Sequence, residues 1–206
     1  IERSNEAAPI GIYPGQVLLD NDFTLQAMQE NVEFRRILHI ATHAQFSPGK
    51  PEDSFIVLGD GSTMKIEEIN KMKESLRDLH LVVLSACQTA LGGTTGDGTE
   101  IAGLSSYFLA ANRAETVIAS LWSVSDGSTS LLMQRFYELL ASGELTKAEA
   151  LRQAQLSLLK QEDTLDERFA ALGISRGLAN ANATESTAGI EHPYHWAPFI
   201  LIGNGL

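Results

Sequence analysis

Four short apolar runs punctuate the chain, at residues 36–41, 80–86, 116–121 and 199–202. Each is continuous rather than alternating and rich in Ile, Val and Leu, which predicts strands covered on both faces, as in a mostly parallel sheet. Between them the apolar period lengthens to three or four residues. Ile66, Ile69 and Met72 mark a helix within 64–76, and Leu104, Phe108 and Leu109 one within 101–111. Phe136, Leu139 and Leu140 mark a third within 132–141. Thr146-Lys-Ala-Glu149 has the form of a capping box, and Leu151, Ala154 and Leu158 line one face of the helix it opens. A short helix starts within 23–28. Strands alternating with helices predict the α/β class.

Segments outside this pattern read as connections. Residues 173–191 are rich in Gly, Ala, Ser, Asn and Thr with no sustained apolar period, which predicts a long loop. Residues 1–22 read as a linker or N-terminal extension and 23–206 as one domain, a length sufficient for a single buried core. A chain beginning at Ile1 rather than Met is expected to be a piece of something longer. No apolar run approaches the roughly 18 residues of a membrane span, and the first residues lack the pattern of a secretion signal.

The charge balance narrows the function classes. A net charge of −11 gives a surface that repels phosphate backbones and anionic lipid, so neither nucleic acid nor a membrane is an expected partner. One cysteine, Cys87, cannot form an internal disulfide, which fits a reducing, cytoplasmic compartment. Cys87 is then either core filler, as buried cysteines commonly are, or a reactive group.

Its surroundings favour chemistry. Leu38-His-Ile-Ala-Thr-His43-Ala44 and Leu84-Ser-Ala-Cys87-Gln-Thr-Ala90 share a design, an apolar strand ending in a small-residue turn with one reactive side chain. In an open parallel sheet the carboxyl ends of neighbouring strands share the edge where ligands bind, which brings His43 and Cys87 together. A free thiol is only a few per cent thiolate at neutral pH, and a neighbouring imidazole raises that fraction. Cys87 is therefore the candidate nucleophile and His43 its base. The backbone N–H groups of Cys87 and Ala44 are candidate donors to the developing oxyanion.

Three competing readings are weaker. His39 and His43 have an H-x-x-x-H spacing, but a zinc site needs that spacing on a helix with further ligands, so no metal is expected and His39 reads as a buried, hydrogen-bonded strand residue. The glycine-rich stretch 92–98 lacks the Lys-Ser/Thr ending of a phosphate loop. Ser85 has no G-x-S-x-G elbow around it.

Five motifs in order resemble the CHAT peptidase domain (caspase HetF associated with tetratricopeptide repeats). They are Leu38-His-Ile-Ala-Thr-His43-Ala44, Val83-Leu-Ser-Ala-Cys87-Gln-Thr-Ala90, Gly98-Thr-Glu-Ile-Ala-Gly103-Leu104, Ala119-Ser-Leu-Trp122-Ser-Val-Ser-Asp126, and His195-Trp-Ala-Pro-Phe199 with Gly203. The resemblance runs from about residue 23 to 203 and implies a caspase-like α/β/α sandwich with a mostly parallel central sheet. It also implies a His–Cys dyad of His43 and Cys87, acting as a cysteine endopeptidase on a protein substrate without a cofactor. The alternative is a latent or non-catalytic caspase-fold module that binds partners. Tetratricopeptide repeats or other regulatory segments are implied upstream of Ile1. One position departs from the group: the residue after the catalytic histidine is often glycine and is Ala44 here, which a backbone of positive φ would strain.

The segment ending in Asp126 is similar to the separase stretch whose aspartate lines the pocket for a P1 arginine, which makes Asp126 the candidate S1 residue. The competing role for Asp126 is to cap a helix starting near Ser128. Asp53, Asp97 and Glu100 are lesser pocket candidates.

Overall fold

The computed structural model describes residues 15–47, 50–85, 99–110, 113–161 and 189–206. These divide into two compact units, one of residues 18–123 with 198–205 and the other centred on 124–197.

The first unit is built on a four-stranded sheet in the order β1 (Ile37–Ile40), β5 (Leu81–Leu84), β6 (Thr116–Ser120), β7 (Phe199–Gly203). β1, β5 and β6 run parallel, and β7 joins β6 antiparallel. All four apolar runs are thus strands of one mixed α/β sheet that is mostly parallel, consistent with a caspase-like fold. Every residue of β5 and β6 is buried, which is why those runs show no alternation. Val82, Leu84, Val117 and Ala119 join one core cluster, and the intervening Leu81, Val83 and Ile118 are buried as well. β7 is only partly buried along its length.

The same cluster takes in Met28 and Val32 of α1 (Leu25–Val32), Ile66 and Ile69 of α2 (Ile66–Lys71), and Leu104 and Phe108 of α3 (Thr99–Leu109). Thr24 caps α1 by accepting from the Ala27 N–H at 3.1 Å. Fully burying side chains of this size contributes about 1.5–3 kcal/mol each.

The crossover from β1 to β5 carries more than a helix. A second, three-stranded antiparallel sheet precedes α2: β2 (Ala44–Gln45), β3 (Phe55–Val57) and β4 (Thr63–Lys65). The turn between β3 and β4 is made by its polar residues. Ser62 N–H donates to Asp60 Oδ1 at 2.9 Å, and Gly61 supplies a φ of 82°. The helix predicted over 64–76 is accordingly shorter, because Met64 pairs with Ile56 in the ladder and the helix begins only at Ile66.

In the second unit α4 (Asp126–Ala141) packs on α5 (Lys147–Leu159). Thr146 caps α5, its Oγ1 accepting from Glu149 N–H at 3.2 Å. The Glu149 carboxylate bonds Arg152 and Gln153, so one arm of the predicted capping box is seen. Of the 173–191 stretch, only 189–191 are described, and they form a turn.

Two glycines of the motifs have steric reasons. Gly203 has a φ of 108°, and a Cβ there would strike the Glu115 carbonyl oxygen. A Cβ on Gly103 would overlap the ring of Phe46. Gly103→Ala gains about 1 kcal/mol of helix propensity, yet it must displace the partly buried Phe46, whose packing contributes about 1.5–3 kcal/mol. The expected net loss is about 1 kcal/mol in urea unfolding. In a Phe46→Ala background the same change is expected to stabilise; a loss there equal to that in wild type would refute the steric account.

Candidate active site

Residues 41–43 carry the chain from the carboxyl end of β1 into β2. Two hydrogen bonds to Val57 hold this turn: Val57 N–H donates to the His43 carbonyl at 2.8 Å, and Thr42 Oγ1–H donates to the Val57 carbonyl at 2.9 Å. The His43 side chain is exposed, so its ring faces solvent while its backbone is fixed. Ala44 is buried and pairs with Ile56. Since the bond falls on His43 O and Val57 N, Ala44 and Ile56 form a non-hydrogen-bonded pair, and the Ala44 N–H points away from β3. Among the described residues the non-glycine residues with positive φ are Asp20, Phe34 and Gln161. Ala44 is not one of them, so the strain a glycine would relieve is absent at this position.

β1 and β5 pair in parallel with Ile40 opposite Leu84. One residue on, Ser85 N–H donates to the Ile40 carbonyl at 2.9 Å, and Ser85 Oγ lies 3.0 Å from His39 Nε2. The described part of this segment ends at Ser85; Cys87 and the glycine-rich stretch 92–98 lie outside the described residues. His39 is the hydrogen-bonded strand histidine, with Ser85 as a partner that sequence reading did not identify.

Burial drives the His39 pKa down to about 4, because the charged imidazolium loses its hydration there. The consequence for stability has a definite sign. In the unfolded chain the imidazole titrates near pH 6.5, so between pH 6.5 and 4 the unfolded state binds a proton that the folded state does not. The contribution is complete above pH 6.5 and is lost as pH falls toward 4. Moving from pH 7 to pH 5 is expected to cost wild type about 2 kcal/mol more than it costs His39→Gln. Urea unfolding at the two pH values measures this, and equal losses in both proteins would exclude it.

Asp126 is the first residue of α4. The cap is Ser125, whose Oγ accepts from Ser128 N–H at 3.4 Å, and the helix begins at Asp126 rather than near Ser128. The capping role is therefore filled by its neighbour, and the Asp126 carboxylate is exposed at the helix N-terminus. Asp53 sits in a short 3-10 turn, exposed. Asp97 and the side chain of Glu100 fall outside what is described.

A polar cluster backs the start of α4. Buried Ser128 Oγ lies 2.8 Å from Ser125 Oγ and 3.0 Å from His195 Nδ1. Trp196 Nε1–H donates to the Glu191 carbonyl at 3.0 Å, and Gln155 Nε2–H donates to the Trp196 carbonyl at 3.0 Å. The His195-Trp196 motif thus fastens residues 191–196 to both helices of this unit. Nothing in the spacing of residues 128 and 195 announces that pairing.

Among the described residues, no three His, Cys, Asp or Glu side chains are grouped to hold a metal ion, and no helix is long and apolar enough to cross a membrane.

The CHAT domain family profile matches residues 3–204, nearly the whole chain. Comparison with curated proteins gives no match.

Proposed function

The chain belongs to the CHAT domain family, a caspase-like, peptidase-related family, and from that premise we propose that it is a cysteine endopeptidase cutting protein substrates after a basic P1 residue. The observation that carries this reading is the register of β1 and β5. His43 and Cys87 each follow by three residues a pair, Ile40 and Leu84, that lie side by side on adjacent parallel strands. That Ile40 and Leu84 end side by side at the carboxyl edge supports placing both reactive residues just beyond it. Cys87 is two peptide units beyond the anchored Ser85, a span of about 7 Å at most.

In the proposed reaction His43 accepts the Cys87 thiol proton, and the thiolate attacks the scissile carbonyl carbon. The oxyanion accepts hydrogen bonds from the backbone N–H groups of Cys87 and Ala44; the direction of the Ala44 N–H, away from its β3 partner, supports the second of these. Collapse breaks the C–N bond as the His43 imidazolium protonates the leaving amine, giving a thioester. Water, deprotonated by His43, attacks the thioester and releases the acid and the thiol. No cofactor is needed for any step.

Asp126 supplies the basic preference as an S1 carboxylate, since an acid in a pocket selects a guanidinium that bonds it at two points. That Ser125 already caps α4 supports this assignment by leaving the Asp126 carboxylate without a capping role. The reading further includes a cytoplasmic setting, a protein substrate and upstream tetratricopeptide-repeat or regulatory segments; the charge of −11 speaks against nucleic acid and membrane as partners.

An arginyl acyloxymethyl ketone tests the proposal. Stoichiometric labelling of Cys87, located by peptide mass and abolished by His43→Ala, is expected. Failure to label folded wild-type chain at any concentration of probe would instead favour a caspase-fold interaction module.

A further inference from the structure

The bond between His39 and Ser85 lies on neither proposed reacting group, yet it ties together the two strands that carry them. We propose that His39 and Ser85 are a positioning pair whose hydrogen bond fixes the carboxyl end of β5 and so sets the reactivity of the thiol two residues downstream. The inference rests on the peptidase reading for its reaction, though not for its geometry.

The geometry follows from strand alternation. His39 pairs in register with Val83 on β5, and Ser85, the residue just past the end of β5, lies two positions on, so the imidazole reaches forward along the neighbouring segment to its hydroxyl. Ser85 is held twice by β1, its N–H on the Ile40 carbonyl at 2.9 Å and its hydroxyl at 3.0 Å from His39 Nε2. A backbone bond alone holds only the Ser85 N–H; the side-chain bond on the same residue also restrains its Cα–Cβ direction, and with it the point from which the chain continues. His39 is on β1, four residues before His43 in the turn that follows that strand. One bond thus couples the strand leading to the base with the strand leading to the nucleophile. A displacement of about 1 Å in a reacting group can cost a hundredfold in rate, so a tie at this point bears on chemistry as well as on folding. Burial keeps the imidazole neutral across the physiological range, which leaves the bond unaltered there.

A purely structural role and a positioning role differ in what restores function. A single Ser85→Ala leaves a largely buried imidazole nitrogen without its hydroxyl, whereas removing both members of this bond takes away that particular unmet group and recovers part of the lost stability. The test compares Ser85→Ala, Ser85→Thr and the double variant His39→Leu/Ser85→Ala. It reads kcat and KM on an arginyl peptide, the thermal midpoint, and the pH dependence of Cys87 alkylation by iodoacetamide. Ser85→Ala is expected to lower kcat by about 10- to 100-fold with KM within about twofold, and to move the alkylation profile to higher pH. Ser85→Thr, which keeps the hydroxyl, recovers most of the rate. The double variant melts above Ser85→Ala but stays slow and keeps the shifted profile. If Ser85→Ala fails to fold, the double variant decides alone. Wild-type kcat and an unshifted profile in the double variant would overturn the proposal. Alkylation needs no turnover, so a failure of the peptidase reading shows separately, as absence of Cys87-dependent cleavage in wild type.

Discussion

Cys87→Ala is expected to lower kcat/KM for peptide hydrolysis by at least about a thousandfold, because the proposed nucleophile has no substitute thiol in a chain with one cysteine. His43→Ala should fall nearly as far, since without a base the thiol at neutral pH is only a few per cent ionised. In the proposed dyad the two residues act as one unit, so the double variant should be about as slow as either single one, not the product of both losses. Folding is a separate matter. The His43 ring is exposed, and the bond that anchors this turn uses its backbone carbonyl, so His43→Ala should leave stability within about 0.5 kcal/mol of wild type. Turnover by protein freed of contaminating peptidases, with thermal unfolding alongside, separates the two effects. Wild-type turnover by purified Cys87→Ala would overturn the nucleophile assignment.

The parts of the fold that could be read from sequence are those whose physics is local. β5 and β6 announce themselves because strands buried on both faces carry near-continuous apolar runs, β1 and β7 by shorter runs of the same kind, and α5 because a threonine cap and an apolar stripe occur together. Strand direction is another matter: a continuous apolar run looks the same whether its neighbour runs parallel or not, and β7 proves to be antiparallel. The β2–β4 sheet escapes because strands of two or three residues hold too few positions to show a period. The start of α4 is hidden for a different reason. Its first turn, Asp126-Gly-Ser-Thr-Ser130, consists of residues that favour caps and turns, and the side chain that actually starts the helix is Ser125.

The candidate site divides along the same line. His43 was legible as part of a small-residue turn after an apolar strand, and the structure sets it there with the extra restraint of Val57 on β3, whereas Ala44 already begins β2. The bonds of His39 to Ser85 and of His195 to Ser128 were not legible, because each joins residues 46 and 67 positions apart through a register or a helix packing that sequence spacing does not encode. Both involve a histidine beside a serine in a motif whose more conspicuous member lies elsewhere. Polar residues within apolar motifs are worth tracing to their partners for that reason, since a buried polar group without one is costly.

Asp126→Asn is expected to erase most of the preference for arginine at P1. An S1 carboxylate that a bound guanidinium covers forms a desolvated charge pair, and removing one partner of such a pair costs about 2–5 kcal/mol, a loss of roughly thirtyfold or more in kcat/KM on arginyl substrates. A carboxylate at the rim of a groove behaves differently, because solvent screens it and its pair with arginine contributes at most about 1 kcal/mol. The size of the loss therefore distinguishes pocket from rim. Helix destabilisation is a poor rival explanation. Ser125 performs the capping, so the substitution costs α4 only the favourable placement of one negative charge at its N-terminus, about 0.3–1 kcal/mol, and that would affect all substrates alike. Uncharged leucyl substrates should accordingly be cut at close to the wild-type rate, and iodoacetamide should still alkylate Cys87 as fast. Lysyl substrates should lose less than arginyl ones, because an ammonium cannot make the two parallel bonds of a guanidinium. Measuring kcat/KM on matched Arg, Lys and Leu peptides for both proteins decides the matter, and an arginine preference unchanged in Asp126→Asn would move the S1 assignment to another residue.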